Sequence, residues 1–372
     1  MLVHLVTNSF TTGGGLEHIF QIVRGLPHLD FRVFARPGKA IDKFAGLPNV
    51  EICPGGYSPA QVFRGGPDLV HVHHLMPLFA FFRNPLARYG TPVIYTAHGL
   101  HIHKYEFAGG AAARVKYGMR FGLEKYLFSK ADRVIAVSRE DGEFIAGKYG
   151  TRRIEHIPNG IDPTRLEPLS PHKEDVAREF LLPQQNILFV TVARFVFQKG
   201  YDILVRAIAM ARGLLEEKNA RFLLVGDGGT LPEIKKMADR LRVSHLVHFT
   251  GPLPEPHRLM RSADFFLLPS RWEGLSLVLL EAGLLKVPVI ASDACGNREL
   301  LAQGRGILFA NENVSDLAEK LQQAICGEYD LQRRSHDLYQ AIRKDYSAAG
   351  MLSRLQDAYA AVAGKKNGER EY

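Results

Sequence analysis

Two cations five residues apart, Arg194 and Lys199, stand in a loop just beyond one apolar run, and two glutamates, Glu273 and Glu281, follow another. A guanidinium offers a planar fork of donors and an ammonium a compact point charge. Together they suit a diphosphate whose negative charge grows as a bond to it breaks. A solvated loop is the plainer alternative for such a pair. Glu281 lies among Val278, Leu279, Leu280, Ala282, Gly283 and Leu284. Burying a carboxylate there is costly unless something hydrogen-bonds it, which a ribose diol would do; a solvent-facing helix glutamate is the alternative. Between the two glutamates, Gly274, Leu275 and Ser276 make a small-residue turn into a helix, whose first amides present positive dipole ends.

The first half carries two further candidates. Thr11-Thr-Gly-Gly-Gly-Leu-Glu-His is a glycine turn opening a helix, and Gly14 and Gly15 would let backbone amides approach an anion. It is neither a G-x-G-x-x-G fingerprint nor a Walker loop, because no Gly-Lys-Ser or Gly-Lys-Thr follows. A tight strand-to-helix turn explains it equally well. Thr96-Ala97-His98-Gly99 ends a strand, and His is the side chain that titrates nearest neutrality. His71, His73, His74, His101 and His103 surround it in sequence, yet no Cys, Asp or Glu shares a ligand spacing with them. Packing or loop histidines are therefore expected, and no metal. Nowhere are two aspartates separated by a single residue, so the usual metal clamp for a nucleotide diphosphate is missing. Cations and helix ends must carry that charge, with no cofactor.

Short apolar runs alternating with helical stretches should position these residues, the pattern of parallel strands covered by helices. The expected strands are Leu2–Thr7, Phe31–Ala35, Leu69–His73, Val93–Thr96 and Arg133–Val137, then Ile187–Val192, Arg221–Val225, Val247–Thr250, Phe265–Pro269 and Val287–Ala291. That is an α/β chain of two doubly wound, Rossmann-like domains. Residues 157–186, with prolines at 168, 171 and 183, read as the connector. Expected boundaries are 1–167, 168–345, and a last helix within 346–364. In that helix Ala348, Met351, Leu352, Leu355, Ala358, Tyr359 and Val362 form one apolar stripe; Gly364 to Tyr372 should fray. Open parallel sheets take ligands beyond the carboxyl ends of their strands, where all the residues above fall.

Composition narrows the class. With 372 residues, 46% hydrophobic, 23% charged and a mean hydropathy of −0.09, the chain is globular and long enough for two cores. No apolar run is long enough to span a bilayer, and the N-terminus reads as a buried strand instead of a signal peptide. A cytoplasmic location is expected. Cys53, Cys295 and Cys326 are scattered and fit neither a disulfide framework nor structural zinc. Of the net +8, residues 1–170 hold most, with 20 Lys and Arg against 14 Asp and Glu. The excess suits phosphorylated molecules or anionic lipid; nucleic acid is not expected, because no reading motif interleaves the cations. Residues 104–130 mix six cations and two acids with aromatics at helical spacing. They read as a basic amphipathic helix for an anionic membrane surface, or as an ordinary half-buried helix. Met76-Pro-Leu-Phe-Ala-Phe-Phe could add apolar contact.

Taken in order, Gly14-Gly15-Leu16-Glu17, Thr96-Ala97-His98-Gly99, Val137-Ser138-Arg139-Glu140, Ile157-Pro158-Asn159-Gly160-Ile161-Asp162, Arg194 with Lys199, Val225-Gly226-Asp227-Gly228, and Glu273 with Glu281 run over nearly the whole chain. In this the chain resembles the retaining glycosyltransferases of family 4, which have the GT-B fold. The resemblance implies a nucleotide-diphosphate sugar donor, held mainly by the second domain. Arg194 and Lys199 would neutralise the diphosphate, Glu273 contact the sugar, and Glu281 the ribose. Backbone near Leu253 would face the base, and the Gly274, Leu275 and Ser276 segment would meet sugar or phosphate. His98 would reach the sugar at the reaction centre, and Gly14 and Gly15 the diphosphate or acceptor. The last helix would cross back to the first domain. UDP-sugars are the implied donors, GDP-mannose the alternative, and the acceptor a saccharide, a lipid-linked saccharide or a small soluble molecule. Transfer would be metal-independent. Two departures stand out: Ser276 replaces a common glycine, and His98 is followed by glycine where relatives carry Asp. A nucleotide-sugar epimerase or a pyridoxal-phosphate phosphorylase would share the architecture.

Overall fold

The computed structural model describes residues 1–11, 13–83, 90–166, 173–183 and 185–364. The chain divides into two compact units, Met1–Gly160 with the last helix, Ala348–Ala363, and Ile161–Ser347. The boundary expected at 167/168, with Pro168 and Pro171, and the tail beyond Gly364 lie outside the described residues.

Among the described residues, unit 1 is built on seven parallel strands: β1 (Leu2–Ser9), β2 (Asp30–Arg36), β3 (Val50–Cys53), β4 (Leu69–Val72), β5 (Val93–Ala97), β6 (Arg133–Ala136) and β7 (Ile154–His156). Their order is β3-β2-β1-β4-β5-β6-β7, so the winding reverses between β1 and β4. Its helices are α1 (Gly14–Gly25), α2 (Pro59–Val62), α3 (Leu75–Arg83), α4 (Ala111–Lys130) and α5 (Arg139–Tyr149). Strand side chains alternate between two cores. Val3, Leu5, Phe31, Val33, Leu69 and Ile94 face α1, whereas Val6, Phe34, Val70, Val72, Val93 and Tyr95 pack with residues of α3, α4 and α5. Burial on both faces accounts for the continuous apolar strands of the sequence.

Unit 2 repeats the plan with β8 (Ile187–Val192), β9 (Ala220–Val225), β10 (Val247–Gly251), β11 (Phe265–Leu268), β12 (Val289–Ser292) and β13 (Ile307–Phe309), in the order β10-β9-β8-β11-β12-β13. Here the winding reverses between β8 and β11. The helices are α6 (Lys173–Glu179), α7 (Tyr201–Met210), α8 (Arg212–Glu217), α9 (Leu231–Arg240), α10 (His257–Arg261), α11 (Leu277–Leu284), α12 (Cys295–Leu301), α13 (Val314–Ile325) and α14 (Leu331–Asp345). Phe189 stacks between Phe222 and Phe265 at the sheet centre, with ring centroids 4.7 and 4.8 Å away.

The final helix, α15 (Ala348–Ala363), buries Met351, Leu355, Ala358, Tyr359 and Val362 in the α1 core of unit 1. All ten expected strands form, shifted by at most two residues at either end. Three strands were not anticipated: β3, β7 and β13, of four, three and three residues. Each is an edge strand of its sheet, and each is too short to show a period, with β3 and β7 also mixed in polarity.

Candidate active site

In both units most candidate residues leave the sheet at its point of reversal, where loops from adjacent strands diverge and leave a crevice, whereas His98 follows β5 and Leu253 the edge strand β10. In unit 2 these loops follow β8 and β11. Beyond β8, Ala193, Arg194 and Phe195 lead into a short 3-10 turn, Phe197–Lys199. Phe195 is buried and stacks on Tyr201 at 3.9 Å, while the Tyr201 hydroxyl donates to the Ala193 carbonyl at 2.9 Å. The neighbouring Gly226-Asp227-Gly228 turn is laced to this loop, since the Phe195 amide donates to the Asp227 carbonyl at 2.9 Å. Gly200 has φ of 64°, and a Cβ there would sit 1.9 Å from the Pro269 carbonyl oxygen. Only glycine lets the β8 loop lie against the β11 loop.

Three more bonds join those loops. The Arg271 amide donates to the Gln198 carbonyl at 2.7 Å, Gln198 Nε2 to the Trp272 carbonyl at 2.8 Å, and Arg271 Nη1 to the Phe197 carbonyl at 2.7 Å. Arg271 is buried and holds Asp202 through both terminal nitrogens, at 2.9 and 2.8 Å, with Glu312 as a further ion partner. Burial alone would lower its pKa, but the hydrogen bonds and charge of Asp202, then Glu312, raise it above the ordinary guanidinium value. It remains a permanent cation. This scaffold sets Lys199 Nζ 2.5 Å from Glu273 Oε1, with the glutamate side chain only 8% exposed. Arg194, on the same loop, is exposed.

The chain from Arg271 to Leu277 is buried throughout and enters α11 with Ser276 as its N-cap residue, whose side chain makes no capping bond. Glu281 sits half-buried inside that helix. Leu253 is half-buried in the loop after β10. Sequence reasoning missed Arg271, visible there only as one more surface-type cation, and Gly296. A Cβ on Gly296 would lie 1.3 Å from the Gly274 carbonyl oxygen, so the start of α12 wedges the turn into α11.

In unit 1 the loops follow β1, β4 and β5. Strand alternation puts Leu69, His71 and His73 on one face of β4, and Ile94, Thr96 and His98 on the same face of β5, toward α1 and α15. His71 is fully buried, its Nδ1 2.7 Å from the Tyr359 hydroxyl and its Nε2 2.7 Å from Thr96 Oγ1. His73 Nδ1 lies 3.0 Å from His98 Nε2, with the rings stacked at 5.3 Å. Gly15, in the first turn of α1, closes the other side: a Cβ there would touch His74 Cε1 at 3.5 Å and His98 Cδ2 at 3.9 Å. Gly14 opens the helix. Also from α1 comes His18, unremarked in the sequence reading, with its ring 4.9 Å from that of His98. Burial drives His18 down to about 4, and burial plus neighbouring imidazoles drives His71, His73 and His98 well below the ordinary value. All are neutral at pH 7, able to donate or accept hydrogen bonds without charge.

His101 and His103 fall in a 3-10 turn beyond His98, His103 bonding Glu106 at 3.0 Å. The basic stretch read as a membrane-surface helix or an ordinary half-buried one is helical from Ala111 to Lys130 and buries Ala113, Glu124, Leu127 and Phe128. Among the described residues, no helix is long and apolar enough to cross a membrane.

Comparison with known proteins agrees with this architecture. Residues 12–165 match the family described as Glycosyltransferase Family 4, and residues 172–345 match Glycosyl transferases group 1. A D-inositol 3-phosphate glycosyltransferase from Nocardia farcinica is 30% identical over 374 aligned residues, covering 95% of this chain and 80% of the relative. A putative teichuronic acid biosynthesis glycosyltransferase, TuaC of Bacillus subtilis, is 28% identical over 80% of this chain and 71% of its own. Among solved structures, Anabaena Alr3699/HepE in complex with UDP and glucose superposes with a TM-score of 0.81 at 21% identity, covering 97% of this chain and 100% of that one. The two reversed parallel sheets and the matches over both halves thus lead to one assignment: the chain belongs to the family 4 glycosyltransferases and has the GT-B fold.

Proposed function

We propose that this glycosyltransferase moves a hexosyl group from a UDP-sugar to a saccharide or lipid-linked acceptor, with retained anomeric configuration and no metal, at the cytoplasmic face of the cell envelope. One observation carries the donor side: the Lys199–Glu273 pair, its carboxylate buried and its ammonium half-buried, at the reversal point of the unit 2 sheet. A cation and a carboxylate held there can exchange each other for a leaving diphosphate and a sugar hydroxyl. Arg194 adds the second positive charge, and the amides entering α11 add a helix dipole. Glu281 would hold the ribose and backbone near Leu253 the base. His98, neutral by burial, would hydrogen-bond the donor sugar, with Gly14 and Gly15 beside it. The UDP and glucose bound by the Anabaena neighbour support the choice of donor, and the teichuronic acid pathway of the Bacillus relative supports a polymer-building role.

A lipid-linked acceptor has its own support in unit 1. Arg36, Tyr57, Met76, Phe79 and Arg83 line an open cavity of about 480 Å³, apolar with two guanidinium groups. On α4, Val115, Met119 and Tyr126 are exposed along one face beside Arg114, Lys116, Lys125 and Lys130. Such a surface fits an anionic bilayer.

Calorimetry with UDP and GDP, followed by turnover with the corresponding sugars, tests the donor. UDP should bind more tightly, and Arg194→Ala should lower turnover by about a hundredfold. Turnover of Arg194→Ala near that of the parent would refute the diphosphate assignment. Loss of turnover on dialysis against chelator would refute metal independence, and an inverted anomer in the product's proton NMR would refute retention. Flotation with acidic liposomes, abolished by high salt, tests the membrane contact.

A further inference from the structure

His18, His73 and His98 come from α1, the end of β4 and the end of β5. Folding brings one ring nitrogen of each within 4.8 Å of the other two. We propose that this cluster binds one divalent cation of the zinc type, and that the ion inhibits sugar transfer by occupying His98. Binding is independent of the proposed function; the inhibition rests on the role given there to His98.

The donor set decides the kind of ion. Three imidazoles without a carboxylate or thiolate among them favour zinc, cobalt, nickel or copper over magnesium, calcium or manganese. Three His ligands with an open fourth position form a known tetrahedral zinc arrangement. The closest pair, His73 Nδ1 and His98 Nε2, is 3.0 Å apart. Two zinc–nitrogen bonds of about 2.0–2.1 Å at a tetrahedral angle would separate the nitrogens by about 3.3 Å. The pair needs to open by only a few tenths of an ångström.

A buried polar atom points the same way. His18 Nδ1 is sequestered from solvent without a hydrogen-bond partner, on a residue 3% exposed. Whichever tautomer the ring takes, that nitrogen leaves a donor or an acceptor unsatisfied. A cation uses lone pairs and suits rings that hold no extra proton. His71 is not a ligand, because Tyr359 and Thr96 take both its nitrogens. It packs on His73 with ring centroids 4.1 Å apart, which restrains that ring.

The test is a cobalt titration of the full chain without an affinity tag, followed by displacement with zinc. One ion per chain, with the absorption bands of tetrahedral cobalt and no sulfur charge-transfer band, is expected. His18→Asn and His73→Asn should each weaken binding about tenfold or more, whereas His245→Asn in unit 2 should not. Circular dichroism checks that each variant folds; if His73→Asn does not, His18→Asn carries the comparison. Absence of stoichiometric binding, unchanged binding in His18→Asn, or a sulfur band overturns the site and leaves the transfer reaction untouched. Zinc should lower turnover, chelator should restore it, and His18→Asn should lose the response. Stoichiometric binding without inhibition overturns the inhibitory half and counts against His98 at the reaction centre.

Discussion

Gly296→Ala is the most exacting perturbation the structure offers, because the contact it breaks is entirely between backbone atoms. An added Cβ would lie 1.3 Å from the Gly274 carbonyl oxygen, 2.5 Å from its carbon and 3.0 Å from Leu275 Cα. Carbon and oxygen in close non-bonded contact settle about 3.3–3.6 Å apart, so the turn into α11 must retreat by about 2 Å. Overpacking of this kind costs about 1–3 kcal/mol. For a unit of this size, 2 kcal/mol is a fall of about 4–8 °C in melting temperature. The functional loss should be larger, since about 1 Å of misplacement costs on the order of a hundredfold in rate. Gly283→Ala is the control: its Cβ would meet side-chain atoms of α14, Ile342 Cδ1 at 2.2 Å and Leu338 Cγ at 2.8 Å. It shares the packing cost without touching the turn. Scanning calorimetry and a UDP titration separate the effects, with both variants melting lower but only Gly296→Ala losing about tenfold or more in UDP affinity. A Gly296→Ala chain that melts and binds like the parent would show that the turn is not held by this contact.

Lys199→Ala leaves the buried Glu273 carboxylate without its cation, a loss of about 3–5 kcal/mol. Lys199→Ala/Glu273→Gln should recover most of it in urea unfolding, and equal stability of the two variants would contradict the buried pair. Tyr359→Phe strips His71 Nδ1 of its partner and should cost about 1–3 kcal/mol, read as a lower urea midpoint for unit 1. Acid should also unfold unit 1 first. His18 falls from 6.5 to about 4 on folding, so the unfolded chain binds the extra proton, and stability present above pH 6.5 is lost at about 1.4 kcal/mol per pH unit as pH falls toward 4. His71, His73 and His98 act in the same direction. Asp141, raised by burial to about 7, opposes them, because its contribution is full below its ordinary value and fades as pH rises through 7. Four histidines outweigh one carboxylate; a urea midpoint that holds or rises from pH 7 to pH 5 would contradict this balance.

Much of the fold was legible in one dimension. Parallel strands buried on both faces show as continuous apolar runs, and the loops after β1, β5, β8 and β11 could be located before any pairing was known. Gly14, Gly15, His98, Arg194, Lys199, Glu273 and Glu281 all lie on or just beyond such loops. The short edge strands β3, β7 and β13 were not legible, since an edge strand is defined by what pairs with it and its three or four residues carry too little pattern.

Sequence alone determined the repeating strand–helix rhythm and the residue types waiting at each strand end, because both follow from local periodicity and from the cost of burying charge. Tertiary structure decided which strand ends become neighbours. Sheet order places β8 beside β11, bringing Lys199 to Glu273 across 74 residues, and the docking of α15 in the unit 1 core brings Tyr359 to His71 across 288. Spacing along the chain says nothing of contacts that exist only once two sheets have closed their registers, and His18, Arg271 and Gly296 owe their importance to such contacts.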